Sequence, residues 1–328
     1  MTPEQMVAIE VEGGKGPASA LKAVSAPVPR PGPGQVLVRV RAAGVNRPDI
    51  VQRLGFYPPP PGAPATLGLE VAGEVVALGE RAPRWRVGDQ VTALLGGGGY
   101  AQYAVVDARH ALPIPKGLDL VQAAALPETV FTVFANLFEH GALKAGETLM
   151  VHGATSGIGV TAIQMAKAAR ARVIATGRGA DKAAAALKLG ADHAIDTTKA
   201  DFAAAARALG GVDVVLDMVG GDYIAKDVAA LNIGGRIVVI ATQGGAQVEV
   251  NLMTIMQKRL VLTGSTLRPR SADEKARLAA AVEQAAWPWI EAGKLAPVID
   301  ATFPLAEAAA AHAHLEGGAH VGKVVLLA

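Results

Sequence analysis

Residues 148–169, TLMVHGATSGIGVTAIQMAKAA, decide the fold. Leu149, Met150 and Val151 form a short apolar run with the character of a buried strand. Gly153, Gly157 and Gly159 follow where a tight turn needs backbone freedom and close approach. Beyond the turn, Ile158, Ala162, Met165 and Ala169 stand at i, i+4, i+7 and i+11, the spacing that sets one apolar stripe of a helix against a sheet. Strand, turn and helix in this order predict a joint where the free N–H groups and positive dipole end of the helix face the turn, a setting suited to a pyrophosphate. The dinucleotide fingerprint G-x-G-x-x-G falls here on Ala154, Ser156 and Gly159, with two of its three glycines replaced. Cofactor contacts are expected along Ala154, Thr155, Ser156, Gly157, Ile158 and Gly159.

The turn alone is a weak signal, and the segments that follow it strengthen it. Strand-like runs at 172–176, 193–196, 212–217, 236–241 and 260–265 alternate with helical stretches such as 181–189, the rhythm of a doubly wound, six-stranded parallel sheet in an α/β protein. A glycine turn in an α/β domain without a ligand is the alternative. In such a sheet ligands lie beyond the carboxyl ends of the strands, which singles out Val219, Ala241 and Thr242 after strands four and five, and Ser265 and Leu267 after strand six. NAD-specific domains place an acid at the end of the second strand, where this chain has Thr176-Gly177-Arg178. With Arg178 and Lys182 available to a 2′-phosphate, NADPH is expected over NADH, although Asp181 offsets part of that charge and both cations could simply face solvent.

The chain has 328 residues, 51% hydrophobic and 18% charged, enough for a large core and two domains. The net charge of +2 is dispersed, which argues against a nucleic-acid or membrane surface. Cysteine is absent, so disulfides, a catalytic thiol and thiolate metal sites are excluded. No signal-like start or long apolar span is evident, and a cytoplasmic protein is expected. The first 120 or so residues read as a compact β-rich domain, with runs at 36–41, 70–77, 90–94 and 100–106 between proline- and glycine-rich loops. The four glycines at 96–99 read as a hairpin connection, with room left for a ligand as the alternative. A helix near 273–286 and a final run, VGKVVLLA, end the chain, the latter in a position to return to the first domain.

Five stretches carry a family resemblance: 43–79 (AGVNRPDIVQRLGFYPPPPGAPATLGLEVAGEVVALG), 87–106 (VGDQVTALLGGGGYAQYAVV), 123–137 (AAALPETVFTVFANL), 152–168 and the terminal VGKVVL. They resemble the zinc-independent quinone oxidoreductases of the medium-chain dehydrogenase/reductase superfamily, in the branch that holds the p53-inducible quinone oxidoreductase and zeta-crystallin. The resemblance runs through essentially the whole chain. It implies a GroES-like catalytic domain over 1–122 and 267–328, a Rossmann NADPH-binding domain over 123–266, NADPH as reductant and a quinone as acceptor.

It also implies roles for single residues. Asn46, as a hydrogen-bond donor, and Tyr57, as a rim aromatic with a hydroxyl, would face the nicotinamide and the acceptor, and Thr132 would contact the carboxamide side of the nicotinamide. Lys323 could reach the pyrophosphate or stand in solvent on its strand. Asp49 and Arg53 are expected as an ion pair pinning their loop. Zinc alcohol dehydrogenases carry a histidine where Leu69 stands, and a leucine cannot ligate, so no catalytic metal is expected. Among the seven histidines no metal cluster is legible; His152, beside the glycine turn, reads as a structural histidine bonded to backbone. The tyrosine that stacks on the adenosine end in the family is replaced by Thr197. Three functions compete: an NADPH:quinone reductase, a reductase of α,β-unsaturated ketones or aldehydes, and a cofactor-binding, crystallin-like protein with little turnover. The sixth strand, at a sheet edge, predicts a homodimer paired near 250–266.

Overall fold

The computed structural model describes residues 2–328. Its strands in chain order are β1 (Gln5–Val11), β2 (Leu21–Pro27), β3 (Gln35–Val45), β4 (Glu70–Leu78), β5 (Gln90–Leu94), β6 (Tyr103–Asp107), β7 (Ala111–Pro113), β8 (Thr148–Val151), β9 (Arg172–Gly177), β10 (His193–Asp196), β11 (Val212–Asp217), β12 (Leu231–Val239), β13 (Val261–Gly264), β14 (Ile299–Pro304) and β15 (Lys323–Leu327). The chain forms two compact units. The first takes the chain up to Phe131 together with 268–291 and 297–328; the second takes 132–267 and 292–296.

In the first unit β14-β15-β3-β4-β5-β7 make one sheet, β6 also pairs with β3, and β1 and β2 form a separate antiparallel pair. β3 is buried over most of its length and alternates only over 38–42, where Val38, Val40 and Ala42 are buried while Arg39 and Arg41 point to solvent. The terminal VGKVVLLA does return here, as β15 antiparallel to β3 with Val325 opposite Gly44. The glycines at 96–99 are not a hairpin. β5 pairs with β4 and β7, whereas β6 pairs with β3, so the glycine run is a crossing link. Its backbone passes Gly68 so closely that a Cβ there would lie 2.6 Å from the Gly99 Cα. The expected division at 122/123 moves to 131/132, because Ala123, Ala124 and Ala125 pack with Ala42, Ala72 and Val325 of the first unit.

The second unit is a doubly wound sheet in the order β10-β9-β8-β11-β12-β13. All four residues of β8 are buried, as expected of a strand covered on both faces. The helix Gly157–Ala168 seats a broader face than the expected stripe: Val160, Ala162, Ile163, Met165 and Ala166 are buried, while Ile158 is only half-buried. β12 begins at Leu231, ahead of the expected 236, with a register shift between Val212 and Val214 of β11. β13 has one strand neighbour, and Val261 and Leu262 on it are 48% and 45% exposed. Among the described residues no helix is long and apolar enough to cross a membrane.

Candidate active site

The glycine turn of the second unit shows why its sequence is as it is. Gly153 takes φ +64°, a left-handed conformation, and the Ala154 N–H donates to the Thr176 carbonyl at 3.0 Å, tying the turn to β9. Ser156 caps the helix, its Oγ accepting from the Gly159 N–H at 3.0 Å. The serine in the second fingerprint position therefore does local work that a glycine could not. A Cβ at Gly159 would lie 2.3 Å from the Gly153 carbonyl oxygen, so helix and turn can approach only there. The N–H groups of Gly157 and Ile158, in the first turn of a 12-residue helix, have no intrahelical carbonyl to meet. Turn, dipole and free donors fit the pyrophosphate of a dinucleotide.

The other expected cofactor residues gather at the carboxyl ends of the same strands. Val219 follows β11, where Asp217 holds the turn by accepting from the Val219 and Gly220 N–H groups at 2.6 and 2.9 Å. Ala241 is half-buried and Thr242 exposed after β12, and Leu267 is buried after β13. Sequence reading missed Asn136. Buried to 2% exposure, it donates to the Thr132 carbonyl at 2.8 Å, and its Oδ1 accepts from the Ser265 hydroxyl at 2.9 Å, so it joins two of the expected residues. At the end of β9 Gly177 is buried, and a Cβ there would come within 2.9 Å of the Lys182 Cβ. Arg178 is exposed and Lys182 half-buried. Thr197 Oγ1 donates to the Gly177 carbonyl at 3.3 Å.

His152 lies behind the turn and is fully buried. Its ring nitrogens meet Thr176 Oγ1 at 2.7 Å and Asp227 Oδ1 at 2.8 Å, which corrects the expectation of a backbone-bonded histidine. Burial pushes Asp227 up to about 6 even beside the histidine. The ligand atoms of His152, Asp217 and Asp227 lie within 4.8 Å of one another, a grouping that dispersal along the sequence concealed. Both Asp217 oxygens are engaged by backbone N–H groups and both His152 nitrogens by side chains, while Asp227 Oδ2 is buried without a partner.

In the first unit Asn46, one of the candidate catalytic residues, lies in a cluster of charged side chains. Asn46 precedes the helix Arg47–Arg53, and Asp49 reaches back to the Asn46 N–H at 2.9 Å. The Asn46 side chain is not an open donor: Nδ2 donates to Glu70 Oε1 at 2.9 Å and Oδ1 accepts from Lys323. Lys323, 4% exposed, pairs with Glu70 Oε1 at 2.6 Å and donates to the Val45 carbonyl at 3.3 Å. With its three N–H bonds taken inside the protein, Lys323 is neither solvated nor free to reach a pyrophosphate. Gly44 makes room for the cluster, since a Cβ there would lie 2.0 Å from Glu70 Oε1.

The expected Asp49–Arg53 pair is also corrected. Asp49 accepts from the Gly68 N–H at 3.0 Å and the Tyr100 hydroxyl at 3.3 Å, and burial raises its pKa to about 6. Arg53 instead bonds Glu316 at 2.7 Å and His312 at 3.1 Å, tying the loop to the helix Ala308–Gly317. Tyr57 is half-buried and makes no hydrogen bond through its hydroxyl among the described residues. Burial, then the negative charge of Glu128, raise its pKa and keep the hydroxyl a neutral donor. The Arg268 guanidinium lies 5.3 Å from its ring centroid.

Three members of this cluster were missed in the sequence. Arg268 is 5% exposed, donates to the Gly96 carbonyl at 2.8 Å and leaves Nη2 without a partner. Lys275 donates to the Arg268 carbonyl at 2.6 Å. Glu128 is the second residue of the helix Pro127–Phe134, and its N–H donates to Glu70 Oε2 at 2.8 Å. Burial, then the neighbouring Glu70 charge, push the Glu128 carboxyl up to about 8. Its one available signal was a charge set inside the apolar run AAALPETVF.

A doubly wound sheet with a dinucleotide turn, accompanied by a β-rich unit bearing a charged cluster, defines an oxidoreductase built for a nicotinamide cofactor. Residues 32–116 match the alcohol dehydrogenase GroES-like domain and residues 189–326 match a zinc-binding dehydrogenase family. The quinone oxidoreductase of Lama guanicoe is 35% identical over 98% of this chain and 97% of its own. That of Pseudomonas aeruginosa is 36% identical over 90% and 92%. A quinone oxidoreductase structure from Pseudomonas syringae superposes with a TM-score of 0.88 at 31% identity, covering 98% of this chain and 100% of that one. A mycobacterial protein solved with NADPH does so with 0.86 at 30% identity, covering 98% and 100%. The chain belongs to the quinone oxidoreductases of the medium-chain dehydrogenase/reductase superfamily.

Proposed function

We propose that the protein is an NADPH-dependent quinone reductase that transfers hydride without zinc. The observation that carries this reading is the Lys323–Glu70–Asn46 cluster next to Leu69. Where a metal-dependent enzyme needs open ligands, this chain offers a hydrocarbon, no thiolate, and a carboxylate and amide already bound to an ammonium. The reduced nicotinamide supplies the hydride when bound. The protein's own residues orient and neutralise: the glycine turn and helix hold the phosphates, Gly177 and Arg178 admit a 2′-phosphate, and Tyr57 offers a neutral hydroxyl to an acceptor oxygen. The relatives named quinone oxidoreductase and the NADPH-bound mycobacterial neighbour support the choice of acceptor and cofactor.

One observation favours a second acceptor class. Reduction of an α,β-unsaturated ketone or aldehyde needs a proton donor at the site, and Glu128 is a carboxyl of raised pKa beside the cluster. The test is steady-state oxidation of NADPH against para-quinones, ortho-quinones and enones, before and after dialysis with a chelator. Quinone turnover that persists after chelation is expected. Nucleotide binding without turnover on any acceptor would identify the crystallin-like alternative, and a loss reversed by zinc would overturn metal independence.

A further inference from the structure

Glu128 has a setting that the fold does not require. The polar groups around it are locked in place: Glu70 is held by Lys323, Asn46 and the Glu128 N–H itself, and Asp49 by Asn46, Gly68 and Tyr100. The Glu128 carboxyl, by contrast, makes no hydrogen bond or ion pair to protein among the described residues, although two cations, Arg268 and Lys275, are within electrostatic reach. It is surrounded by protein yet keeps part of its surface open. A structural carboxyl would be expected to take a partner. This one stands with the free Tyr57 hydroxyl and the unpartnered Nη2 of Arg268, three uncommitted polar groups in one region of the unit.

We propose that Glu128 is the proton donor that completes reduction of the acceptor, with Arg268 stabilising the oxyanion before the proton arrives. The inference rests on the reductase reading above. The acceptor gains a hydride with its electron pair from the reduced nicotinamide, at an oxygen-bearing or ring centre of a quinone or at the β-carbon of an enone, and its conjugated π electrons move onto the carbonyl oxygen. The O–H bond of the Glu128 carboxyl then breaks and the proton passes to that oxygen, giving a hydroquinone, or an enol that tautomerises to the saturated carbonyl compound, and leaving a carboxylate that regains a proton from water at its open side. In sum, acceptor, reduced nicotinamide and one proton give reduced acceptor and oxidised nicotinamide. The groups that face this carboxyl and set its protonation are Glu70, Asp49, Lys323, Arg268, Lys275 and Tyr57. Burial first, then the Glu70 charge, outweigh the opposing pull of Lys323 and Arg268, so the carboxyl stays protonated up to about pH 8, a value close to its task.

Three measurements on the whole protein test this. In infrared difference spectra, the carbonyl band of a protonated carboxyl should be present at neutral pH, fade as pH rises through about 8, and be missing from Glu128→Gln. In enone reduction Glu128→Gln should lower kcat by on the order of 10²-fold, the usual size of a general-acid contribution. It should also abolish the alkaline fall of the wild-type rate. Glu128→Asp, which keeps the acid on a shorter arm, should restore that limb. Quinone reduction should suffer less, because water readily protonates a hydroquinone anion. Nucleotide affinity, read by fluorescence titration, should be the same in all three proteins and shows that the variants are folded. An unchanged rate and pH profile in Glu128→Gln, or a wild-type carboxyl already ionised at neutral pH, overturns the assignment. A wild type that binds nucleotide but reduces neither acceptor class removes the parent reading and the donor role with it. The infrared band separates that failure from an error about Glu128 alone.

Discussion

Lys323 Nζ stands 2.6 Å from Glu70 Oε1 with both side chains buried, and this pair joins the last strand of the chain to the start of β4. Such a pair is costly to break singly, because the surviving charge is left without water or partner. Lys323→Met should destabilise the protein by ~3–5 kcal/mol in chemical denaturation. Adding Glu70→Gln to it should recover a large part of the loss, since the orphaned charge is then gone. A single variant that loses less than ~1 kcal/mol would show that the pair is solvated after all.

Glu128 also gives a stability prediction that needs no substrate. Its folded pKa of about 8 lies above the ordinary 4.5, so the folded protein binds more protons than the unfolded chain between those values. Its contribution is therefore fully present below about pH 4.5 and is lost as pH rises through about 8. Glu128→Gln, always neutral, should match the wild type at pH ~4 and exceed it at pH ~9 by on the order of 2 kcal/mol, after a discount for the partial solvent access of the side chain. Thermal unfolding at the two pH values checks the sign.

The contrast between the two units shows what sequence can and cannot reveal. The doubly wound sheet is legible because β8, β9, β11 and β12 each hold a short apolar core, such as Val173-Ile174-Ala175 and Val214-Val215-Leu216, a signal local to each segment. The link at 96–99 was misread because four glycines fit a hairpin equally well, and only the pairing of β6 with β3, set by residues more than 60 positions away, decides the matter. The same holds for the charges. Asp49 and Arg53 sit one helical turn apart and invite pairing, yet Arg53 finds Glu316 and His312 across more than 250 residues. Lys323 with Glu70, and His152 with Asp227, are likewise contacts between distant segments that no spacing rule reports.

Cofactor choice can be tested at the end of β9. Arg178 is exposed, with Lys182 four residues on, whereas Asp196 turns one oxygen to the Gly179 N–H at 2.9 Å and leaves Oδ2 unpartnered. NADPH should bind more tightly than NADH by ~1–3 kcal/mol, the usual range for charge-assisted phosphate contacts. Calorimetry on Arg178→Ala should show most of that gap erased, and Asp196→Asn should widen it by removing a like charge. Equal affinities in the wild type would refute the preference.

The last prediction concerns assembly. β13 closes one end of the doubly wound sheet, and among the described residues no strand pairs with its outer side. Val261 and Leu262 on it are 48% and 45% exposed, and the preceding helix Leu252–Lys258 presents Leu252, Met253 and Met256 at 68%, 57% and 68%. An open edge beside exposed apolar side chains would drive uncontrolled association unless it were covered. A two-fold pairing covers both copies at once, whereas a head-to-tail contact through the same edge would leave another edge open. The expected assembly is a homodimer joined through residues near 250–266. Light scattering at micromolar concentration should give twice the chain mass, and Val261→Pro or Met256→Glu should shift it toward the monomer. A monomer mass for the wild type refutes the dimer, while a dimer that survives both substitutions keeps the assembly and moves its interface to another face.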